Sequence, residues 1–182
     1  MKLIQTELDG LLIIEPKVYS DSRGYFFESW REDFFKNIEI NFVPVQQNES
    51  GSAFGVVRGL HYQLNPYAQA KLVRVVYGKV LDVAVDLRKN SKTFGKYFSV
   101  ELSSENKRQF FIPAGFAHGF SVLSDFAIFS YMCDNYYNAE FERGIAYNDP
   151  VLNIDWKIPV EKMIISQKDL NNPTFQLAEK NF

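Results

Sequence analysis

Cysteine is nearly absent from this chain: Cys133 is the only one among 182 residues. No intrachain disulfide can form, a zinc site built on cysteine is excluded, and a reducing compartment fits. Histidine is scarce too, with only His61 and His118, and two histidines among scattered carboxylates make a poor transition-metal site. Blocks of like charge are missing. No Lys/Arg run exceeds two residues and the formal net charge is -2, which argues against a duplex-binding face and against a polybasic membrane patch. Long apolar runs are missing as well. Glu7 and Asp9 stand where a signal peptide needs an apolar stretch, and Leu11 to Ile14 is too short to span a bilayer, so a cytoplasmic protein is expected. Dinucleotide and phosphate-loop glycine patterns, internal repeats and Gly/Ser linkers are all lacking, so a single domain over residues 1–182 is expected.

What is present is apolar and aromatic: 46% of residues are hydrophobic and 16% aromatic, with Phe foremost at 17. Such a chain folds around a sizeable core. Short runs rich in Val, Phe, Tyr and Ile, separated by Gly, Pro, Asn and Ser clusters, predict an all-β sandwich or barrel. The clearest strand is Val80–Leu87, where Leu81, Val83, Val85 and Leu87 alternate with Asp82, Ala84 and Asp86, as for a strand with one buried face. Further strands are expected at 11–20, 25–29, 43–48, 56–64, 71–77, 97–102, 108–112 and 127–133, while 49–55 and 138–143 read as loops. Ser29-Trp30-Arg31-Glu32 has the form of a capping box and predicts a short helix near 30–37. With short helical turns near the C-terminus, the pattern fits a cupin-like double-sheet jelly roll, which protects its edges without helical crossovers.

Each histidine, taken alone, reads first as a core or turn residue whose nitrogens the backbone satisfies. His61 has a second reading. Strand alternation puts Val57, Gly59, His61 and Gln63 on one face, from which an imidazole could meet a cavity and accept a carbon-bound proton, its free pKa being about 6.5. A carboxylate would orient such a base, and Asp169 is available. Read alone, Lys168-Asp169 is a solvated charge pair. Jelly rolls that hold a metal commonly use a His-x-His pair, but position 63 here is Gln, so metal-free chemistry is favoured. Phosphates would be met by side chains, with Arg23, Arg58, Lys71 and Lys168 as candidates.

Seven segments, in this order, carry a resemblance: residues 21–29 (DSRGYFFES), 46–48 (QQN), 58–63 (RGLHYQ), 69–74 (QAKLVR), 82–88 (DVAVDLR), 113–120 (PAGFAHGF) and 166–173 (SQKDLNNP). Together they resemble the dTDP-4-dehydrorhamnose 3,5-epimerase family over nearly the whole chain. The resemblance implies a cupin-like homodimer without metal or cofactor, in which an N-terminal strand is exchanged, so that Arg23 and Glu28 serve the partner's nucleotide. It also implies a dTDP-4-keto-6-deoxyhexose substrate that is inverted at C3 and C5. His61 would be the base, Asp169 its carboxylate partner, and Tyr131 the acid on the opposite face of the ring. Gln46, Asn48, Arg58, Lys71, His118, Glu142 and Lys168 would contact the sugar, its keto oxygen or the diphosphate.

The residue types suit that chemistry. A proton next to a carbonyl becomes removable when fixed donors meet the developing enolate oxygen, a duty open to Lys71 and His118. A phenol can then reprotonate from the other side. The same scaffold could instead serve a single-position epimerase or a 3,4-ketoisomerase. A non-catalytic sugar-binding jelly roll is the reading from another class, and it leaves a matched base and acid unexplained.

Overall fold

A computed structural model describes residues 1–182. The strands are β1 (Lys2–Gln5), β2 (Leu12–Glu15), β3 (Val18–Asp21), β4 (Gly24–Phe27), β5 (Gln46–Ala53), β6 (Val56–Gln63), β7 (Lys71–Tyr77), β8 (Lys79–Asp86), β9 (Tyr97–Ser103), β10 (Gln109–Ile112), β11 (Phe116–Val122), β12 (Phe126–Cys133), β13 (Glu142–Gly144) and β14 (Ile164–Ile165). Two short helices, α1 (Glu32–Asn37) and α2 (Gln167–Leu170), complete the chain. One sheet runs β1-β2-β10-β7-β12-β5 and the other β13-β6-β11-β8-β9, with β14 added parallel to β6. The two face each other as a cupin-like jelly roll.

Three apolar layers explain the high aromatic content. Between the sheets lie Leu11, Val73, Val75, Val80, Ala84, Phe110, Phe116, Phe120 and Phe129, all buried. Outside the first sheet, Leu12, Ile14, Leu72 and Phe111 pack under Phe35 of α1 and Phe42. Outside the second, Leu81, Val83, Val85 and Leu87 are covered by Ile145, Leu152, Trp156 and Phe175 from the C-terminal segment. Both faces of β8 are therefore buried, correcting the one-sided strand that its alternation suggests. Asp82 and Asp86 point between the sheets with no side-chain exposure, each held by specific partners as a buried carboxylate must be.

Other local expectations change for physical reasons. Pro16 follows β2, and the expected strand 11–20 divides there into β2 and β3. Residues 49–53 are strand, not loop, because β12 pairs with β5 from Gln46 to Ala53. The Ser29 capping box does not form. The helix starts at Glu32 with Arg31 in the N-cap position and no side-chain cap. The Ser29 carbonyl accepts a bond from Gln109 Nε2 (2.6 Å), and the Arg31 guanidinium pairs with Glu28 (2.7 Å), which hold the preceding segment extended. Strands β3 and β4 form a separate hairpin that buries almost nothing in its own chain; Tyr19, Tyr25 and Phe26 are exposed.

The most consequential irregularity lies in β6. His61 pairs with His118 of β11 and Arg58 with Phe120, so three steps on β6 match two on β11. This bulge is centred on Gly59, whose φ is 116°, and an added Cβ there would come within 2.7 Å of the Gly119 Cα and the His118 carbonyl oxygen. One extra residue reverses the in/out parity of a strand. Val57 accordingly joins the outer apolar layer. The expected face of Val57, Gly59, His61 and Gln63 is replaced by one on which Arg58 and His61 line the same hollows.

Candidate active site

His61 stands where three hollows adjoin. One, of about 360 Å³, is lined by Gln46, Asn48, His61, Gln63, Lys71 and Tyr131 among others, with Tyr137 and Glu142 at its edge. A second, of about 170 Å³, adds Arg58 and His118. The third, of about 390 Å³, adds Ser166, Lys168 and Asp169 beside Val56, Val57 and Ile165. Their volumes suit a sugar bearing a charged substituent.

Asp169 comes from α2, capped by Ser166, whose Oγ accepts from the Asp169 amide at 3.1 Å. Its Oδ1 lies 2.5 Å from His61 Nε2 and its Oδ2 takes the Gly59 amide at 3.4 Å. Burial works to raise this carboxyl, but the His61 ring, the Gly59 amide and Ser166 outweigh it and hold Asp169 below the usual carboxylate range. An ionised Asp169 accepts from Nε2–H, which leaves His61 Nδ1 as the proton acceptor. The solvated Lys168-Asp169 pair does not form. Asp169 is 3% exposed, whereas Lys168 turns away to Glu142 at 2.6 Å.

Tyr131 reaches the cavity from β12 in the opposite sheet, and the Lys71 ammonium sits 5.8 Å from its ring centroid. Burial, the principal cause, pushes the Tyr131 phenol above its ordinary value and keeps it protonated. Burial likewise pushes Lys71 down, with Cys133, Asp82 and Glu142 opposing it. Arg58 is fixed by its Nε bond to Ser52 Oγ (3.1 Å). Gln46 donates to Asn48 Oδ1 at 3.1 Å, and its own Oε1 accepts the Tyr137 amide. Glu142 accepts from both the Tyr137 hydroxyl (2.7 Å) and Lys168 (2.6 Å), a clasp across the cavity mouth.

Ten of the twelve expected residues thus converge. Arg23 and Glu28 do not. Arg23 pairs with Asp21 on the exposed hairpin (2.6 Å), beside a hollow that shares no residue with those around His61. Glu28 pairs with Arg31. Three site residues went unread in the sequence. Gln63 holds two loops at the mouth, donating to the Tyr67 and Tyr136 carbonyls (2.7 and 3.1 Å) and accepting the Asn138 amide (2.7 Å). Tyr137 completes the clasp. Asp82 holds His118, and no local signal marks it, because Asp82 and Asp86 share the polar side of an alternating strand. No three His, Cys, Asp or Glu side chains converge in an arrangement suited to a metal ion, and no helix is long and apolar enough to cross a membrane.

The sequence matches the family described as dTDP-4-dehydrorhamnose 3,5-epimerase over residues 5–177. A protein of that name from Shigella flexneri is 53% identical, over 98% of each chain. Among solved structures, dTDP-4-dehydrorhamnose 3,5-epimerase from Elizabethkingia anophelis is 55% identical, with a TM-score of 0.93 over 97% of each chain. A dTDP-6-deoxy-D-glucose-3,5-epimerase from Legionella pneumophila, solved in complex with dTDP-4-keto-L-rhamnose, is 50% identical with a TM-score of 0.93, over 97% of this chain and 93% of that one.

Proposed function

The chain belongs to the dTDP-4-dehydrorhamnose 3,5-epimerase family, and from that premise we propose how its residues carry out the reaction. The enzyme inverts C3 and C5 of dTDP-4-dehydro-6-deoxy-D-glucose, giving dTDP-4-dehydro-L-rhamnose. In our reading His61 Nδ1 removes the proton from a carbon flanking the C4 ketone, while Asp169 fixes the ring and stabilises the imidazolium that forms. Tyr131 delivers a proton to the opposite face, and His61 and Tyr131 then exchange protons with solvent before the second carbon reacts. One carbonyl acidifies both neighbours, so one base serves twice. The sugar's oxidation level does not change, so proton transfer is sufficient and neither metal nor cofactor is called for.

The observation that carries this reading is the His61–Asp169 bond of 2.5 Å at the wall of a cavity that Tyr131 enters from the facing sheet. Lys71 and His118 are assigned to the enolate oxygen. A lysine pushed below its ordinary value by burial still donates in either protonation state. Arg58, Lys168, Gln46, Asn48 and Glu142 are assigned to the diphosphate and sugar hydroxyls.

Arg23 and Glu28 are assigned to a second copy. Their hairpin exposes Tyr19, Tyr25 and Phe26 and contacts none of its own chain's cavity, a geometry that suits exchange between two protomers of a homodimer. The unpaired Cys133 suits a reducing compartment, and we infer a cytoplasmic location.

The test is turnover of dTDP-4-keto-6-deoxy-D-glucose in deuterated water without added metal. Deuterium at both C3 and C5 is expected. Label at C3 alone would reduce the activity to a single-position epimerase, and folded protein that labels neither carbon would sink the reading.

A further inference from the structure

Two carboxylates on the inner face of β8 are sealed from solvent. Asp86 is engaged by its own turn, accepting from Arg88, Ser91 and Thr93. Asp82 has a single partner: both its oxygens lie 3.0 Å from His118 Nε2. A sealed carboxylate is costly, whereas an Asn or Gln carbonyl would hold an imidazole N–H equally well. What only the carboxylate adds is negative charge, felt by the ring in direct contact and by the Lys71 ammonium without a hydrogen bond between them. The other nitrogen of His118, Nδ1, takes no protein hydrogen bond and is not among the buried polar atoms left without a partner. It opens on the hollow shared with His61, Arg58, Lys71 and Tyr131.

We propose that Asp82 is a positioning residue that keeps His118 an imidazolium, with Nε2–H on the carboxylate and Nδ1–H aimed at the C4 oxygen of the substrate. The inference rests on the epimerase reading above. Protonation decides the sign of the contribution. With Nε2–H directed to Asp82, a neutral ring presents a lone pair at Nδ1 and repels an enolate, while the imidazolium presents a donor. No proton is transferred by His118; it donates a hydrogen bond that strengthens as charge grows on the oxygen. The charged and titratable groups around this hollow are Asp82 on β8, Lys71 on β7, Arg58 and His61 on β6, Glu49 on β5 and Tyr131 on β12. Lys71 and Arg58 oppose a second positive charge, and Asp82 favours it from direct contact, where Coulomb attraction is greatest. Burial pushes Asp82 up, and His118 and Lys71 pull it back.

The experiment reads His118 directly, by long-range proton–nitrogen NMR of the histidine-labelled wild-type enzyme near neutral pH. Both ring nitrogens are expected to carry protons. In Asp82→Asn, which keeps an acceptor but removes the charge, only Nε2 should carry one, and kcat should fall about 10²-fold, as for loss of one oxyanion donor, with KM within about threefold and no loss of thermal stability. A neutral His118 in the wild-type enzyme, or a folded Asp82→Asn with undiminished kcat, overturns the proposal. The wild-type spectrum decides the matter if the variant does not fold. Wild-type protein that labels neither C3 nor C5 refutes the epimerase reading itself, whereas normal turnover with a neutral His118 refutes only the role of Asp82.

Discussion

Replacing Gly59 by alanine tests whether the bulge in β6 is what aims the base. Two costs can be read from the structure. At φ 116° an L side chain is strained, by roughly 1–2 kcal/mol. The new methyl would also sit 2.7 Å from the Gly119 Cα and the His118 carbonyl oxygen. Neither is the yielding end of a flexible side chain, and overpacking of this kind costs about 1–3 kcal/mol. Together these imply a loss of about 2–5 kcal/mol, a large share of an ordinary domain's stability. The urea midpoint should fall by roughly 1–2 M. Relief by smoothing out the bulge would put His61 and Arg58 on opposite faces of β6 and turn one of them out of the cavity, and a shift of about 1 Å already costs on the order of 10²-fold in rate. Gly119→Ala supplies the comparison. Its Cβ would meet the Arg58 carbonyl oxygen at 2.6 Å without an unusual φ, so it should show the contact cost with less strain. The measurements are urea unfolding and deuterium incorporation into substrate. A Gly59→Ala protein with an unchanged midpoint and turnover within about twofold of wild type would refute the argument.

His61→Ala should abolish exchange at both carbons while leaving the thermal midpoint little changed, since the side chain is one-third exposed; persistent exchange would make His61 structural. Tyr131→Phe should uncouple exchange from inversion. The base can still remove a proton and return it to the same face, so solvent deuterium should enter with configuration retained while net inversion falls at least about 10²-fold; equal loss of both would contradict the assignment. Asp86 supplies a pH signature. Burial works to raise its carboxyl, but Arg88, Ser91 and Thr93 bring it down from 3.8 to about 2. A depressed carboxylate contributes stability that is complete above the unfolded value and is lost as pH falls through the folded one. Wild type should therefore lose about 2 kcal/mol at most between about pH 4 and pH 2, and Asp86→Asn should lack that portion of the acid transition.

Much of the fold was legible because strand periodicity and Gly/Pro punctuation are local properties. The run 71–77 was read to the residue as β7. Two-sided burial is not local. The aspartates of β8 look like a solvent face until the opposite sheet and its histidine are in place. The bulge escaped for a related reason: Gly59 reads as an ordinary small residue, and only its pairing with β11 reveals the extra step that reverses parity. Strand β11 itself was missed because Gly115, His118 and Gly119 dilute its β signal. The Ser29 box failed because Gln109 and Glu28, one of them 80 residues away, hold that segment extended. Of the site, the segments around His61, Lys71, His118 and Asp169 supply residues that the fold brings to adjoining hollows, but the way Asp169 leaves Lys168 to join His61 is decided by the cap of α2.

The hairpin of β3 and β4 puts Arg23 at the tip of a lever that its own cavity never feels. If each site draws on a neighbour's lever, catalysis becomes a property of pairs, and protein concentration enters the rate law. Diluted below the dissociation constant of such a pair, folded chains with an intact His61 would fall silent, and specific activity would decay without any unfolding transition. In a mixture of two defective chains, one lacking Arg23 and the other lacking His61, the mixed pair gathers both lesions in one cavity and leaves the other whole. Complementation of this kind would be the genetic expression of a hairpin that buries almost nothing in its own chain.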